Sequence, residues 1–228
     1  MRIFAENPVP VAYKAVIAGA SGLTGRLLLD ALLHHPEYDE VAILVRKQLP
    51  LKHKKLTQLI IDFDKLGDYA PLITGHAIFC CLGSTRKKTP DLTIYRKIDH
   101  DYPLELAQIA VKNGVEQYHL VSALGADAHA SNFYAKMKGE TEEDIKKAGL
   151  KCLHIYEPSL IMGERNERRF LERIFMGIMK VIDPILLGSL KKYRSIPATT
   201  IVAAMVKQSL IKLEGVFIYP SDKIKRLA

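Results

Sequence analysis

The fold is decided by residues 14–35, which read KAVIAGASGLTGRLLLDALLHH. An apolar run typical of a buried strand opens this stretch, and apolar residues at helical spacing close it. Between the two lies GASGLTG (19–25), whose glycines Gly19, Gly22 and Gly25 are three residues apart. A strand, a glycine turn and a helix in this order predict the beginning of a parallel α/β sheet that carries a phosphate-binding turn.

The same alternation continues along the chain. Short apolar runs followed by longer amphipathic segments predict parallel strands joined by crossover helices, in a doubly wound sheet covered on both faces. We expect one domain over residues 1–228, with 159–213 contributing a mostly helical cap and a last strand near 215–220. The predicted strands are 14–20, 40–46, 56–62, 76–83, 115–123 and 150–158, and the predicted helices are 23–35, 94–112 and 132–148.

Composition restricts the classes of function. The 228 residues carry a formal charge of +8, partly in short basic clusters, but no nucleic-acid-binding pattern accompanies them. They are interpreted as solvated surface or as phosphate ligands. The three cysteines do not form a disulfide framework, so we expect a reducing, cytoplasmic location. Their spacing is not that of metal ligands, so we expect no bound metal. We expect neither a signal peptide nor a membrane span, since the apolar stretch 174–190 is interrupted by charges and a proline.

The glycine turn predicts a dinucleotide site. Glycines there allow a tight turn, close approach of the backbone to a pyrophosphate, and packing of helix against strand, while Ser21 and Thr24 offer hydroxyl donors beside Leu23. The second strand ends at Arg46 and Lys47, where an acidic residue would select NAD. A guanidinium instead fits the 2′-phosphate of NADP. The cofactor is therefore expected to be NADP (NADPH).

Ligands of open α/β sheets bind at the carboxyl ends of the strands. This rule nominates residues in the last positions of the third, fourth, fifth and sixth predicted strands or directly after them. For Phe63 a role in the core is an equal alternative. The nominated residues are Asp62, Phe63, Cys81, Leu82, Gly83, Thr85, Ser122, Tyr156, Pro158, Ser159 and Leu160.

A Tyr-x-x-x-Lys pair lies in NFYAKMKGE (132–140), at Tyr134 and Lys138. A second pair, Tyr219 and Lys223, shows that the spacing alone is weak evidence. A proline directly after Tyr219 disfavours helix there. The first pair opens a helix after the fifth strand on a chain that already carries a phosphate turn, which favours it as the active site.

Taken together, these residues resemble the short-chain dehydrogenase/reductase superfamily, and more narrowly its atypical branch of Tat-interactive-protein-2-like oxidoreductases. The resemblance runs from about residue 14 to 220. It implies an NADP-binding Rossmann fold with a Ser/Tyr/Lys site. The segments that carry it are GASGLTG, LVRK, FCCLGSTRKK, DHDYPLELAQIAVKNGV, LVSALGAD, NFYAKMKGETEE, EPSLIMGER and SIPATTIVAAMV.

By position, the resemblance implies that Tyr134 is the proton donor and acceptor, that Lys138 lowers the pKa of the tyrosine and binds the nicotinamide ribose, and that Ser122 binds the substrate oxygen. Two residues depart from the pattern. Asp99 stands where many relatives have an asparagine that completes a proton relay, and Ala123 stands where some carry a second serine. A carboxylate cannot donate as an amide does.

The leading hypothesis is an NADP-dependent oxidoreductase acting on a small carbonyl or alcohol substrate. The alternative is a non-catalytic NADPH-binding regulator that acts through a protein partner, for which the departure at Asp99 is the supporting feature. A sugar-nucleotide epimerase shares the Tyr/Lys pair but normally uses NAD and a larger substrate domain. Homodimerisation and the identity of the substrate stay open.

Overall fold

A computed structural model describes residues 13–163 and 193–228. Part of the predicted cap, and the stretch 174–190, lie outside these residues. Seven parallel strands form one sheet in the order β3-β2-β1-β4-β5-β6-β9, which confirms the doubly wound fold. Its strands are β1 (Tyr13–Ala18), β2 (Tyr38–Val45), β3 (Leu56–Ile60), β4 (Ala77–Cys80), β5 (Gln117–Val121), β6 (Cys152–Glu157) and β9 (Gly215–Pro220).

Helices cover both faces of this sheet. Two short strands, β7 (Ile161–Met162) and β8 (Ile196–Pro197), pair separately from it. The α-helices of the described residues are α1 (Leu23–His34), α2 (Leu92–Arg96), α3 (Tyr102–Lys112), α4 (Phe133–Lys146), α5 (Ala198–Ser209) and α6 (Ser221–Leu227), with a 3₁₀ segment at Phe63–Leu72 and a π-helical turn at Lys97–Asp101.

The central strands are apolar on both faces because helices pack against both faces of the sheet. In β1, Ala15 and Ile17 face one core cluster, while Val16 and Ala18 face the other, as the two-residue period of a strand requires. The first cluster is covered by α1 and α5, and the second by α3 and α4. Helix α5, the described helix of the segment 159–213 that was predicted to be a helical cap, packs on this face of the sheet.

A row of stacked rings crosses four neighbouring strands on the α1 and α5 face. Phe79, His119, His154 and Phe217 follow one another with centroid distances of 4.5, 4.4 and 5.4 Å. Both histidines are fully buried. Burial lowers the pKa of His119, and it lowers the pKa of His154 to about 4, so the row is uncharged near neutrality.

The second Tyr-x-x-x-Lys pair has a structural role. Tyr219 lies in β9 rather than in a helix, as the following proline predicts, and it is buried. The ammonium of Lys223, on α6, lies 5.1 Å from the centre of the Tyr219 ring. This is a cation–π contact that joins helix and strand.

None of the helices in residues 13–163 and 193–228 combines the length and the apolarity that crossing a bilayer requires. Within the same ranges, no group of three or more histidine, cysteine or acidic side chains is placed to hold a metal ion.

Candidate functional site

The glycine turn lies where the sheet order reverses, between β1 and its neighbours β2 and β4. Gly19 has a φ of +88°, in the left-handed region, and a Cβ there would come 2.5 Å from the carbonyl oxygen of Cys81. A Cβ on Gly25, in the first turn of α1, would come 2.2 Å from the carbonyl oxygen of Gly19. Both positions therefore require glycine, one for the turn and the other for close packing of helix on turn.

The N-terminus of α1 presents free N–H groups. Its N-cap, Gly22, has no side chain to accept from them, and the first turn contains no acidic residue. The Gly22 N–H donates to the Gly19 carbonyl at 3.0 Å, which closes the turn beneath the helix. Ser21 is exposed beside it, whereas Thr24 is buried. Unsatisfied N–H groups at the positive end of a 12-residue helix fit the pyrophosphate of a dinucleotide.

Arg46 and Lys47 follow β2 directly, and both are exposed. No carboxylate of the described residues forms a salt bridge with Arg46. Asp62, at the end of the adjacent strand β3, is exposed, and its carboxylate accepts from the N–H of Asp64 at 3.0 Å. A cation without an acidic partner at this strand end fits a 2′-phosphate.

Phe63 packs in the core. Its side chain is buried, and its ring lies 5.4 Å from that of Tyr102. Burial and a hydrogen bond to Asp64 raise the pKa of Tyr102 to about 12, and Arg46 opposes this rise. Of the two alternatives for Phe63, the structure therefore supports core packing.

The loop after β4 passes beside the glycine turn. Cys81 and Leu82 are half-buried, whereas Gly83 and Thr85 are exposed. Burial raises the pKa of the Cys81 thiol, which favours the neutral thiol over the nucleophilic thiolate. The N–H of Ser84, in the same loop, donates to a carboxylate oxygen of Asp99 at 2.7 Å.

Helix α4 brings Tyr134 and Lys138 to this edge of the sheet. Its N-cap is Asn132, whose side chain accepts from the N–H groups of Tyr134 and Ala135 at 2.9 and 3.2 Å. Tyr134 is 41% exposed, while the Lys138 side chain is only 6% exposed. The pair thus consists of a solvent-facing phenol and a buried ammonium one helical turn apart.

Asp99 is the partner of that ammonium. The Lys138 Nζ lies 2.9 Å from Asp99 Oδ1, and the Asp99 side chain is 1% exposed. Burial by itself lowers the pKa of Lys138, but the charge of Asp99 and, more weakly, that of Tyr134 outweigh it, so that the pKa is raised. Lys138 is therefore held as a cation.

A π-helical turn aims Asp99 inward. The segment predicted as one helix over 94–112 consists of α2, the turn Lys97–Asp101 and α3. Widening the helix in this turn leaves two consecutive residues, Asp99 and His100, buried. Such π turns are rare and occur often at functional sites. A regular helical period cannot predict this turn, and so the sequence did not reveal that Asp99 reaches Lys138.

Ser122 is buried directly after β5, and its hydroxyl donates to Glu142 Oε1, on α4, at 2.5 Å. Burial raises the pKa of Glu142, while Ser122 and Lys146 oppose the rise. A hydroxyl has one hydrogen to donate, so Ser122 keeps only acceptor capacity while this bond is formed. Glu142 was not predicted, since nothing in the sequence marks one carboxylate among several on α4 as buried.

Of the residues nominated at the end of β6 and directly after it, some are buried in the core and others are exposed at the edge of the sheet. Tyr156 lies within β6, where its ring is buried and its hydroxyl lies 3.2 Å from His119 Nδ1. The carbonyl of Pro158 accepts from the Leu124 N–H at 2.9 Å. Ser159 bonds to Ser221 and to the carbonyl of Arg194. Leu160 is 40% exposed.

Comparison with known proteins identifies the kind of site. A family model described as NAD(P)H-binding matches residues 19–174. The chain is 32% identical over 197 residues to Protein HTATIP2 of Rattus norvegicus. This alignment covers 83% of this chain and 78% of that protein. It is 31% identical over 216 residues to Protein fmp52-1, mitochondrial, of Aspergillus oryzae, and this alignment covers 91% of each chain. These matches confirm the resemblance drawn from the motifs and establish an NAD(P)-binding domain.

Solved structures show the same fold at low identity. The Bordetella bronchiseptica enzyme WbmH in complex with NAD+ matches with a TM-score of 0.69 and 18% identity, over 94% of this chain and 79% of that one. MoeE5 in complex with UDP-glucose and NAD matches with a TM-score of 0.68 and 14% identity, over 90% and 75%. At these identities the likeness is one of fold alone.

The names of the curated relatives contradict the expected cytoplasmic location, which is therefore corrected. The relatives from Aspergillus oryzae and Saccharomyces cerevisiae are both named mitochondrial, the latter at 33% identity over 68% of each chain. Cysteine content indicated a reducing environment, and a reducing environment does not distinguish between compartments.

Proposed function

This chain belongs to the NAD(P)H-binding family that includes HTATIP2 and FMP52, and from that premise we propose that it is an NADP-dependent oxidoreductase of the short-chain type. It would interconvert a small carbonyl compound and its alcohol. The observation that carries the proposal is the pairing of a solvent-facing Tyr134 with a buried, charged Lys138 on the helix that follows β5.

The chain's own residues would divide the work as follows. The free N–H groups of α1 and the glycine turn bind the pyrophosphate, and Arg46 with Lys47 binds the 2′-phosphate. When bound, NADPH supplies the hydride. Tyr134 gives its phenolic proton to the substrate oxygen, on which negative charge develops, and takes a proton back in the reverse direction.

Lys138 places a positive charge near Tyr134 and favours the phenolate that remains after proton transfer. Ser122 would contact a substrate oxygen only after releasing Glu142, since its one hydrogen is donated there. In this proposal Tyr134 therefore carries out the proton transfer, and Ser122 helps to position α4 through its hydrogen bond to Glu142.

A choice of NADP over NAD rests on Arg46. Replacing Arg46 with alanine should weaken NADPH binding roughly 10- to 100-fold, because a charge-assisted pair of hydrogen bonds contributes about 1.5–3 kcal/mol. NADH binding should not change. Arg226→Ala is the matched control, since this arginine lies on α6 and pairs with Asp222 at 2.8 Å. Equal affinity of the Arg46→Ala and wild-type proteins for NADPH would refute the assignment.

Turnover is tested with NADPH and a panel of aldehydes and ketones. Tyr134→Phe should lower kcat by about 100-fold or more while leaving NADPH binding intact, since general acid–base catalysis contributes ~10²–10⁴. Lys138→Met should lower both binding and kcat. Lys223→Met, in the second Tyr-x-x-x-Lys pair, is the control and should change neither.

A second candidate is a non-catalytic NADPH-binding regulator. Two contacts favour it: the Asp99 carboxylate offsets the field of the Lys138 ammonium at Tyr134, and the Ser122 hydroxyl donates its one hydrogen to Glu142. Both would weaken catalysis more than cofactor binding. Tight NADPH binding by the wild-type protein, with no turnover on any carbonyl of the panel, would support this reading against the first.

A further inference from the structure

Asp99 connects two segments of the proposed cofactor site with a single side chain. One carboxylate oxygen lies 2.9 Å from the Lys138 ammonium on α4, and the other accepts the Ser84 N–H of the loop after β4 at 2.7 Å. The glycine turn packs against that loop, since a Cβ on Gly19 would meet the carbonyl of Cys81. Asp99 thus ties the helix of the Tyr/Lys pair to the loop that borders the phosphate turn.

The burial of this pair makes each partner necessary to the other. Moving an unpaired ammonium out of water is so unfavourable that a buried lysine without a counter-charge loses its proton instead. The side chains of Lys138 and Asp99 are 6% and 1% exposed. Asp99 is the only hydrogen-bonding or ion-pairing partner of Lys138 within the described residues. An ammonium has three N–H donors, so two are left once Asp99 is bound.

The backbone fixes Asp99 as firmly as its side chain does. The Thr141 hydroxyl on α4 lies 3.1 Å from the Asp99 carbonyl oxygen and 2.8 Å from the carbonyl oxygen of Met137 in its own helix, so α4 contacts the π turn through this hydroxyl. The resemblance implies an asparagine here that completes a proton relay. Asp99 instead contacts the lysine directly and as an anion.

We propose that Asp99 is a positioning residue for the cofactor: it keeps Lys138 charged and holds the ammonium so that its two remaining N–H donors are presented to the nicotinamide ribose. Asp99 acts on the cofactor through Lys138 and does not itself touch it, while its bond to the Ser84 N–H holds the carboxylate in place. The proposal rests on the proposed function in one respect, that Lys138 lies on the cofactor side of the site, and it requires no turnover.

The charge of Lys138 depends on the groups that face it. Without Asp99, burial would lower the lysine pKa, and the remaining neighbours are weaker counter-charges. Cofactor affinity should then fall as the pH rises through the lowered pKa of Lys138. The titratable groups that act on the pair are Asp99, Tyr134, Cys80, Glu142 and Tyr95.

The experiment measures the Kd for NADPH by fluorescence from pH 7 to 9, where the 2′-phosphate keeps its charge, without substrate and on the whole chain. Wild-type affinity should be nearly constant over this range. Asp99→Asn keeps the shape but has only one acceptor oxygen for two donors, and it should bind NADPH at least 10-fold more weakly, with affinity falling towards pH 9. Asp64→Asn is the matched control, because Asp64 pairs with Lys97 at 2.7 Å on the surface, and its profile should equal that of the wild type.

A double variant separates positioning from mere support of the fold. If Asp99 acts only through Lys138, Asp99→Asn/Lys138→Met should bind NADPH as tightly as Lys138→Met alone. The double variant contains no unpaired buried charge, so it should fold even where a single variant does not, and a double variant that binds NADPH as tightly as the wild type would also overturn the proposal.

Wild-type affinity and a flat pH profile in folded Asp99→Asn would overturn the proposal, as would a further loss of binding in the double variant. A wild-type protein that does not bind NADPH would overturn the proposed function, and this inference with it. Intact cofactor binding without turnover would overturn only the catalytic proposal.

Discussion

Gly139 lies in the middle of α4, five residues after Tyr134, where two physical effects oppose each other. Helix propensity predicts that Gly139→Ala stabilises the protein by about 1 kcal/mol. Packing predicts the reverse. A Cβ at this position would lie 2.1 Å from the backbone nitrogen of Ala128 and 2.2 Å from the carbonyl carbon of Asp127. These atoms belong to a backbone that cannot swing away as the end of a side chain can.

The magnitude follows from these contacts. Overpacking a close-packed site costs typically ~1–3 kcal/mol, and backbone atoms at this distance put Gly139→Ala at the upper end. Subtracting about 1 kcal/mol of helix propensity leaves a loss of about 2 kcal/mol in the free energy of unfolding. With an m value of about 2 kcal/mol/M, the urea midpoint should fall by roughly 1 M.

Equilibrium urea unfolding at pH 7 tests this expectation. Gly67→Ala is the control, since a Cβ there meets only the Glu105 Oε1 atom, at the ordinary distance of 3.6 Å. That variant should be unchanged or slightly more stable. A Gly139→Ala midpoint equal to that of the wild type, or above it, would refute the close contact between residues 127–128 and α4.

Two further predictions concern buried polar groups. His154 has a pKa of about 4 in the fold against about 6.5 when unfolded, so below pH 6.5 the unfolded chain binds more protons and stability falls as the pH is lowered towards 4. His154 should contribute up to about 3 kcal/mol to this loss, and unfolding free energies of His154→Gln should have a shallower slope between pH 6.5 and 5. Ser122→Ala removes the donor to buried Glu142 and should lower the free energy of unfolding by about 1–3 kcal/mol, measured with urea at pH 7; an unchanged midpoint would contradict the contact.

The order of strands and helices could be predicted from the sequence because it depends on local patterns. Apolar runs, helical periods and the glycines at 19–25 indicate parallel strands, crossover helices and a tight turn between the first strand and helix, and the structure contains each of them. Parallel strands with right-handed crossovers permit few arrangements. The sequence therefore predicts that Arg46, the loop after β4 and helix α4 lie at one edge of the sheet.

Side-chain partners could not be predicted in the same way. The sequence marked Asp99 as a departure from the relay asparagine, but only the π turn brings its carboxylate to Lys138, 39 residues along the chain. Ser122 was expected to face a substrate, yet its hydroxyl points to Glu142. Tyr156 follows the same strand-end rule as the other candidates and is buried in the core.

By itself, the sequence determined the fold class, the phosphate turn and the pair Tyr134/Lys138, because each is encoded in residues close together in the chain. Only the tertiary structure decided that Lys138 is a buried cation paired with Asp99. The charge state of a buried group depends on desolvation and on the nearest counter-charge, and both are set by atoms from distant parts of the chain. Local spacing carries no information about either.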